Sequence, residues 1–212
     1  MRYRASVRPF AAAVLLTLAV VVTFAPSLGG GWVWDDKDLM TSELAWSSPS
    51  RLLTMDEWGA TGHAPSDIYR PLRWLTSIPT QALAPGPAIE RIGSLAMHLG
   101  VAGLIVALSL ALGASQAGAW CAASVFALHP LTAESVAWIQ ARPELLLAGL
   151  LLGGLLASCR ERPVLAGALL ALCPFVKEIG VVIPLAAAPV LLGRWGWRRA
   201  AAWIPLGMAV GG

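Results

Sequence analysis

Charge is scarce in this sequence. Asp, Glu, Lys and Arg make up 13% of its 212 residues, while apolar residues make up 57%; a soluble domain carries about 25% charged residues. That imbalance excludes an ordinary water-soluble domain and leaves a chain suited to lipid. Cysteine is scarce too. Cys121, Cys159 and Cys173 are odd in number and lie in or beside apolar runs, which excludes a disulfide framework and reads as small buried hydrophobes. The sequence has three histidines and no HExxH string, so it lacks a zinc signature and implies no metal or cofactor. Its net charge of +3 comes from arginines scattered between apolar runs. No basic patch or stripe marks a nucleic-acid partner.

What the sequence does have is apolar length. Runs at about 10–28, 94–112, 117–128, 145–158, 164–176, 179–192 and 200–212 predict an all-α integral membrane protein with about six or seven transmembrane helices. Several are short for a crossing of about 20 residues, so their flanks must extend them. With no internal repeat or low-complexity linker, residues 1–212 read as one membrane domain. The chain ends inside an apolar run, Gly207–Gly212, and is expected to be the N-terminal part of a longer protein.

The arginines set an orientation. Arg2, Arg4 and Arg8 precede the first run. A cleavable signal peptide shares that layout, but the length of the run and the spans that follow favour an uncleaved anchor. With the N-terminus in the cytoplasm, alternation places the short connections holding Arg160, Arg162, Arg194, Arg198 and Arg199, with one acid, Glu161, on the same side. That is the positive-inside pattern. The 29–93 loop, residues 129–144 and Lys177-Glu178 then face the non-cytoplasmic side, with eleven of the twelve acids. Ionisable groups bordering apolar runs are expensive, and their collection at one face points to a site.

The outer loop is long, and its Trp32, Trp34, Trp46, Trp58 and Trp74 suit a membrane–water interface. Residues 47–58 read as a short surface helix, 61–66 as open loop, and 68–80 as an amphipathic stretch interrupted by Pro71 and Pro79. Asp35 and Asp36 follow the first run. They are either the solvated start of an acidic loop or a carboxylate general base with a neighbour that positions it, because adjacent side chains in extended chain diverge. His129-Pro130 opens a helix expected to run to Arg142 and to place Glu134, Trp138 and Arg142 on one flank. That stripe is either a helix-edge ion pair or part of a site. Lys177-Glu178 is either a plain turn or, with Arg70 and Arg142, a source of cations for an anionic head group, since arginine matches phosphate geometry.

Taken in order, Trp34-Asp35-Asp36, Tyr69-Arg70-Pro71-Leu72, Met97-His98-Leu99, the 127–137 string AlaLeuHisProLeuThrAlaGluSerValAla, the 141–146 string AlaArgProGluLeuLeu and Lys177-Glu178-Ile179-Gly180 resemble the membrane domain of the transmembrane and tetratricopeptide-repeat O-mannosyltransferases. That family belongs to the GT-C glycosyltransferase superfamily. The likeness spans residues 32–184. It implies transfer of a mannose-like hexose from a polyprenyl-phosphate carrier to a hydroxyl of a protein, glycan or lipid at the outer membrane face, with inversion. It makes Asp35 and Asp36 the catalytic pair. Arg70, His129, Glu134, Arg142, Lys177 and Glu178 become candidates for holding donor phosphate and substrate. The family carries further spans and C-terminal helical repeats that these 212 residues do not contain. The competing class is a non-catalytic multi-span scaffold or a transporter fragment. Against a transporter, no Asp, Glu, Lys or Arg falls at the middle of an expected span.

Overall fold

A computed structural model describes residues 9–195; the expected last span at 200–212 and the arginines at 2, 4, 8, 198 and 199 lie outside them. The described residues are helical, with no strand among them. Among the described residues three helices are long and apolar enough to cross a membrane: Pro9–Leu28, Pro87–Ala111 and Ile139–Cys159. The other apolar helices, Gln116–Leu128, Pro163–Phe175 and Glu178–Pro189, are shorter. Six or seven full-length crossings are therefore not what the described residues form. A helix of 13 residues such as Gln116–Leu128 is about 20 Å long, against a hydrocarbon core of about 30 Å.

The first helix presents a surface suited to an apolar solvent. It buries one stripe, Leu16, Val20 and Phe24, spaced i, i+4, i+8. Leu15, Leu18 and Val22 on its other faces are 67%, 56% and 73% exposed. In water such a surface would be a large penalty; in lipid it costs nothing. The buried stripe meets Pro87–Ala111 and Gln116–Leu128, where Ala119, Ala123 and Ala127 are fully buried. Small residues at that spacing let helices approach closely.

Chain direction follows from a few ties. Pro87–Ala111 ends in Gly113, whose φ of +89° is the left-handed stop that glycine adopts without strain. Ser115 then caps the next helix by accepting from the Gly118 N–H at 3.1 Å. That helix returns, so that His98 Nε2 meets the Ala127 carbonyl at 3.0 Å. Arg142–Cys159, 18 residues and ~27 Å long, carries the chain away again. The next segment returns it, since Lys177 Nζ pairs with Glu144 near the start of that helix. Gly180 makes this return possible: a Cβ there would lie 2.0 Å from the Cys173 carbonyl oxygen.

The segment expected as a long outer loop is a folded cap. Short helices at Asp36–Met40, Glu43–Ser47, Pro49–Thr54 and Glu57–Ala60 lead to Pro71–Leu83. They enclose their own core of Leu39, Met40, Ala45, Leu52, Ala60, Trp74 and Ile139, with Trp32, Trp46 and Trp58 packed against it. Residues 61–66 do lack helix. Pro71 opens its helix, where a missing N–H costs nothing. The second long helix begins at Pro87, so its first turns, with Glu90 and Arg91, come from the expected loop.

Candidate functional site

A cavity of about 400 Å³ lies at the end of the bundle where the first long helix finishes and Arg142–Cys159 begins. It brings together Asp35, Arg70, Glu134 and Lys177, four of the residues singled out from the sequence. Glu57, Gln140 and Glu144 join them. Glu57 and Gln140 had no sequence signal: Glu57 reads as an ordinary first-turn acid behind the helix cap Asp56. Glu144 stands inside the 141–146 string and could have been found there.

The loop entering the cavity is fixed by Arg91, which is 2% exposed. Its guanidinium donates to the Gly30 and Gly31 carbonyls, each at 2.5 Å, and to the Ala137 carbonyl at 2.8 Å. One buried cation thus ties the exit of the first helix to the 133–137 turn. Trp34 takes a φ of +51°, a strained value for a bulky residue, and packs edge-on against Trp138 at 5.3 Å.

The acidic pair diverges. Asp36 is fully buried; one carboxylate oxygen accepts from the Val33 N–H and the other from the Gln140 N–H, both at 3.2 Å. Burial pushes the Asp36 carboxyl above its ordinary value, outweighing the two backbone donors and Arg73. Asp35 is half-buried and lines the cavity. Its Oδ1 is buried and has no hydrogen-bond partner among the described residues. Trp138 Nε1 and Gln140 Nε2, from two more lining residues, are buried without partners in the same way. Unsatisfied polar atoms cost about 1–3 kcal/mol each, so an acceptor and two donors without partners on three residues of one cavity's lining mark this end of the bundle as under polar strain.

The cations are engaged. Arg70 holds Glu178 bidentately, Nε at 3.0 Å and Nη2 at 2.9 Å, and reaches Glu57 at 3.4 Å. The hydrogen bond from Arg70 holds the Glu178 carboxyl below its usual range. Glu57 also pairs with the buried Arg73 at 3.0 Å, and Lys177 with Glu144. Four lining carboxylates against two cations leave the cavity acidic. Among the described residues no group of three or more His, Cys, Asp or Glu side chains is placed to hold a metal ion.

Four expected site residues do not line the cavity: Asp36 and Glu178, whose partners are given above, and Arg142 and His129. Arg142 is 1% exposed and does not line the cavity. It donates to Ser94 Oγ at 3.1 Å, Ser77 Oγ at 2.9 Å and the Glu90 carbonyl, and pairs with the Glu90 carboxylate at 2.6 Å. His129 is exposed and caps the Pro130–Thr132 turn, its Nδ1 accepting from the Leu131 N–H at 3.2 Å. Nor do Glu134, Trp138 and Arg142 share a helical flank. The 130–141 segment is a 3₁₀ turn, the short helix Ala133–Ala137, an extended Trp138 and a second 3₁₀ turn. Glu134 and Trp138 face the cavity, and Arg142 turns inward.

Compared with known families, curated proteins and solved structures, the chain matches none.

Proposed function

We propose that the chain is the membrane-embedded catalytic portion of a glycosyltransferase of the GT-C kind, using a polyprenyl-phosphate hexose and a hydroxyl acceptor. The observation that carries this reading is Asp35, a carboxylate with an unpartnered buried oxygen, in the same cavity as Arg70 and Lys177. In this reaction the acceptor oxygen attacks the anomeric carbon and passes its proton to Asp35. The bond from that carbon to the phosphate oxygen breaks, and the leaving polyprenyl phosphate takes the electron pair. A single displacement inverts the anomeric centre. Arg70 and Lys177 meet the phosphate charge. To do so they exchange Glu178 and Glu144, both exposed, and exposed ion pairs are worth only about 0–1 kcal/mol. Asp36 anchors the loop and holds Asp35 toward the cavity; Glu134, which lines it, is suited to a sugar hydroxyl.

The test is transfer itself. Proteoliposomes carrying the chain are expected to move radiolabelled hexose from a short-chain polyprenyl phosphate to a serine/threonine peptide or a glycan. Lys177→Ala is expected to weaken donor binding as well as turnover, because the phosphate is charged before and during reaction. Absence of transfer from both mannosyl and glucosyl carriers removes the reading. A non-catalytic scaffold draws on one observation: both lining cations already have carboxylate partners. Unaltered ion pairing on addition of the donor would favour it.

The cavity is proposed to face the non-cytoplasmic side, with the 160–162 turn in the cytoplasm. In a background without native cysteines, Ser50→Cys should react with a membrane-impermeant thiol reagent in intact cells and Glu161→Cys should not. Labelling of position 161 from outside reverses the orientation.

A further inference from the structure

The cap has two surfaces of opposite character. From Lys37 to Asp67 its exposed residues include Lys37, Asp38, Glu43, His63 and Asp67, as a water-facing surface requires. From Pro71 to Ala96 every exposed residue is Ala, Leu, Ile or Pro. On the Pro71–Leu83 helix these are Leu75, Pro79, Ala82 and Leu83, one stripe at helical spacing. Leu83 is 76% exposed and Leu75 48%. The polar side chains of the same helix point inward. Arg73 is buried and pairs with Glu57 at 3.0 Å. Ser77 Oγ accepts from Arg142 at 2.9 Å, and Thr80 Oγ1 donates to Glu90 at 2.6 Å. A helix on a water-soluble protein turns its apolar stripe to the core; this one has the reverse polarity.

Its neighbours fix its level. Ser77 and Thr80 bond to the first turns of Arg142–Cys159 and Pro87–Ala111, which belong to two of the membrane-length helices. Leu72 packs against the buried Leu147, Leu150, Cys173 and Val176. Residues 84–86 then lead straight into Pro87–Ala111, where the exposed stripe continues at Ala88, Ile92 and Ala96. A protein interface carries a polar rim, and this stripe has none. An unbroken apolar surface running on from that of a membrane-length helix fits lipid. We propose that the Pro71–Leu83 helix is set in the leaflet on the side of the acidic cavity, with Leu75, Pro79 and Leu83 among acyl chains, while the rest of the cap stands in water. Arg70, the residue before this helix, lines the acidic cavity, which this placement brings to the level of the lipid headgroups. The placement holds whether or not that cavity transfers sugar.

Power-saturation EPR on the full chain in lipid nanodiscs tests this, with nitroxides on single cysteines in a background without native cysteines. At Leu75→Cys, Leu83→Cys and Ile92→Cys, collision with dissolved oxygen is expected to exceed collision with a water-soluble nickel chelate severalfold. Leu18→Cys, on the exposed side of the first helix, is the lipid reference and should show the same order. Ser50→Cys, exposed on the polar side of the cap, should show the reverse. Nickel contact that dominates at 75 and 83 puts the helix in water and overturns the proposal. So does a nitroxide at 75 and 83 out of reach of both reagents, because a second copy or another protein then covers the stripe. Nickel contact that dominates at Leu18→Cys as well removes the membrane, and the proposal with it.

Discussion

Asp35→Asn is expected to lower sugar transfer by about 10²–10⁴-fold, the usual cost of removing a general base, with donor binding and thermal stability close to those of the parent. The amide keeps the volume of the carboxylate but cannot take the acceptor's proton. Asp35 Oδ1 has no hydrogen bond to lose among the described residues, so the fold is not asked to adjust. Asp36→Asn should behave differently. Each Asp36 oxygen accepts from a backbone N–H, and an amide offers one acceptor where two are needed. One buried N–H is then left facing an NH₂ group, at about 1–3 kcal/mol, and the loop carrying Asp35 loosens. The pair is separated by measuring both turnover and unfolding. Transfer that survives in Asp35→Asn defeats the proposed base and passes the role to Glu134, the other acid of the cavity without an ion-pair partner among the described residues.

Arg142→Ala and Glu90→Ala are each expected to destabilise the protein by about 3–5 kcal/mol, the range for stranding one member of a buried ion pair. Both residues are at most 1% exposed and sit 2.6 Å apart. Ser94, Ser77 and the Thr76 carbonyl, the last at 3.3 Å, complete the arginine's donors. These contacts join Pro71–Leu83, Pro87–Ala111 and Arg142–Cys159, so losing them unlocks the cap from the bundle. Replacing both members together by Met should recover much of the loss, because no charge is then left unpaired. Denaturant unfolding in a mild detergent measures this. A loss below about 1 kcal/mol for either single change, as for exposed pairs, would contradict the burial. Arg142 is thereby a strut of the fold rather than a phosphate ligand.

The split between the expected residues that share the cavity and those that do not has one cause. Periodicity and composition are local properties. They suffice for the first apolar helix, Pro9–Leu28, for Gln116–Leu128, and for the gathering of polar groups at one end of the bundle, because apolar runs and the charges between them are contiguous. The 130–142 segment shows where locality stops. It holds no Gly, and no Pro between Pro130 and Pro143, so it reads as one helix. In such a helix the Ala137 carbonyl would accept from Ala141, and the Gln140 N–H would donate to Val136. Arg91 takes that carbonyl and Asp36 takes that N–H. The second of these bonds joins residues 104 apart in sequence.

What the sequence by itself determined is the class of solvent its long apolar helices suit, the helical class, and four of the groups that share the acidic cavity. The tertiary structure decided how many helices are long enough to cross a membrane, that the long outer segment is a packed cap, and that Arg142 and His129 leave the cavity while Glu57, Gln140 and Glu144 enter it. The physical reason is that a charged side chain in an apolar interior goes where its partner is. For Arg142, Arg91 and Asp36 the partners are Glu90, three backbone carbonyls and two backbone N–H groups, most of them distant in the chain and adjacent only once it has folded.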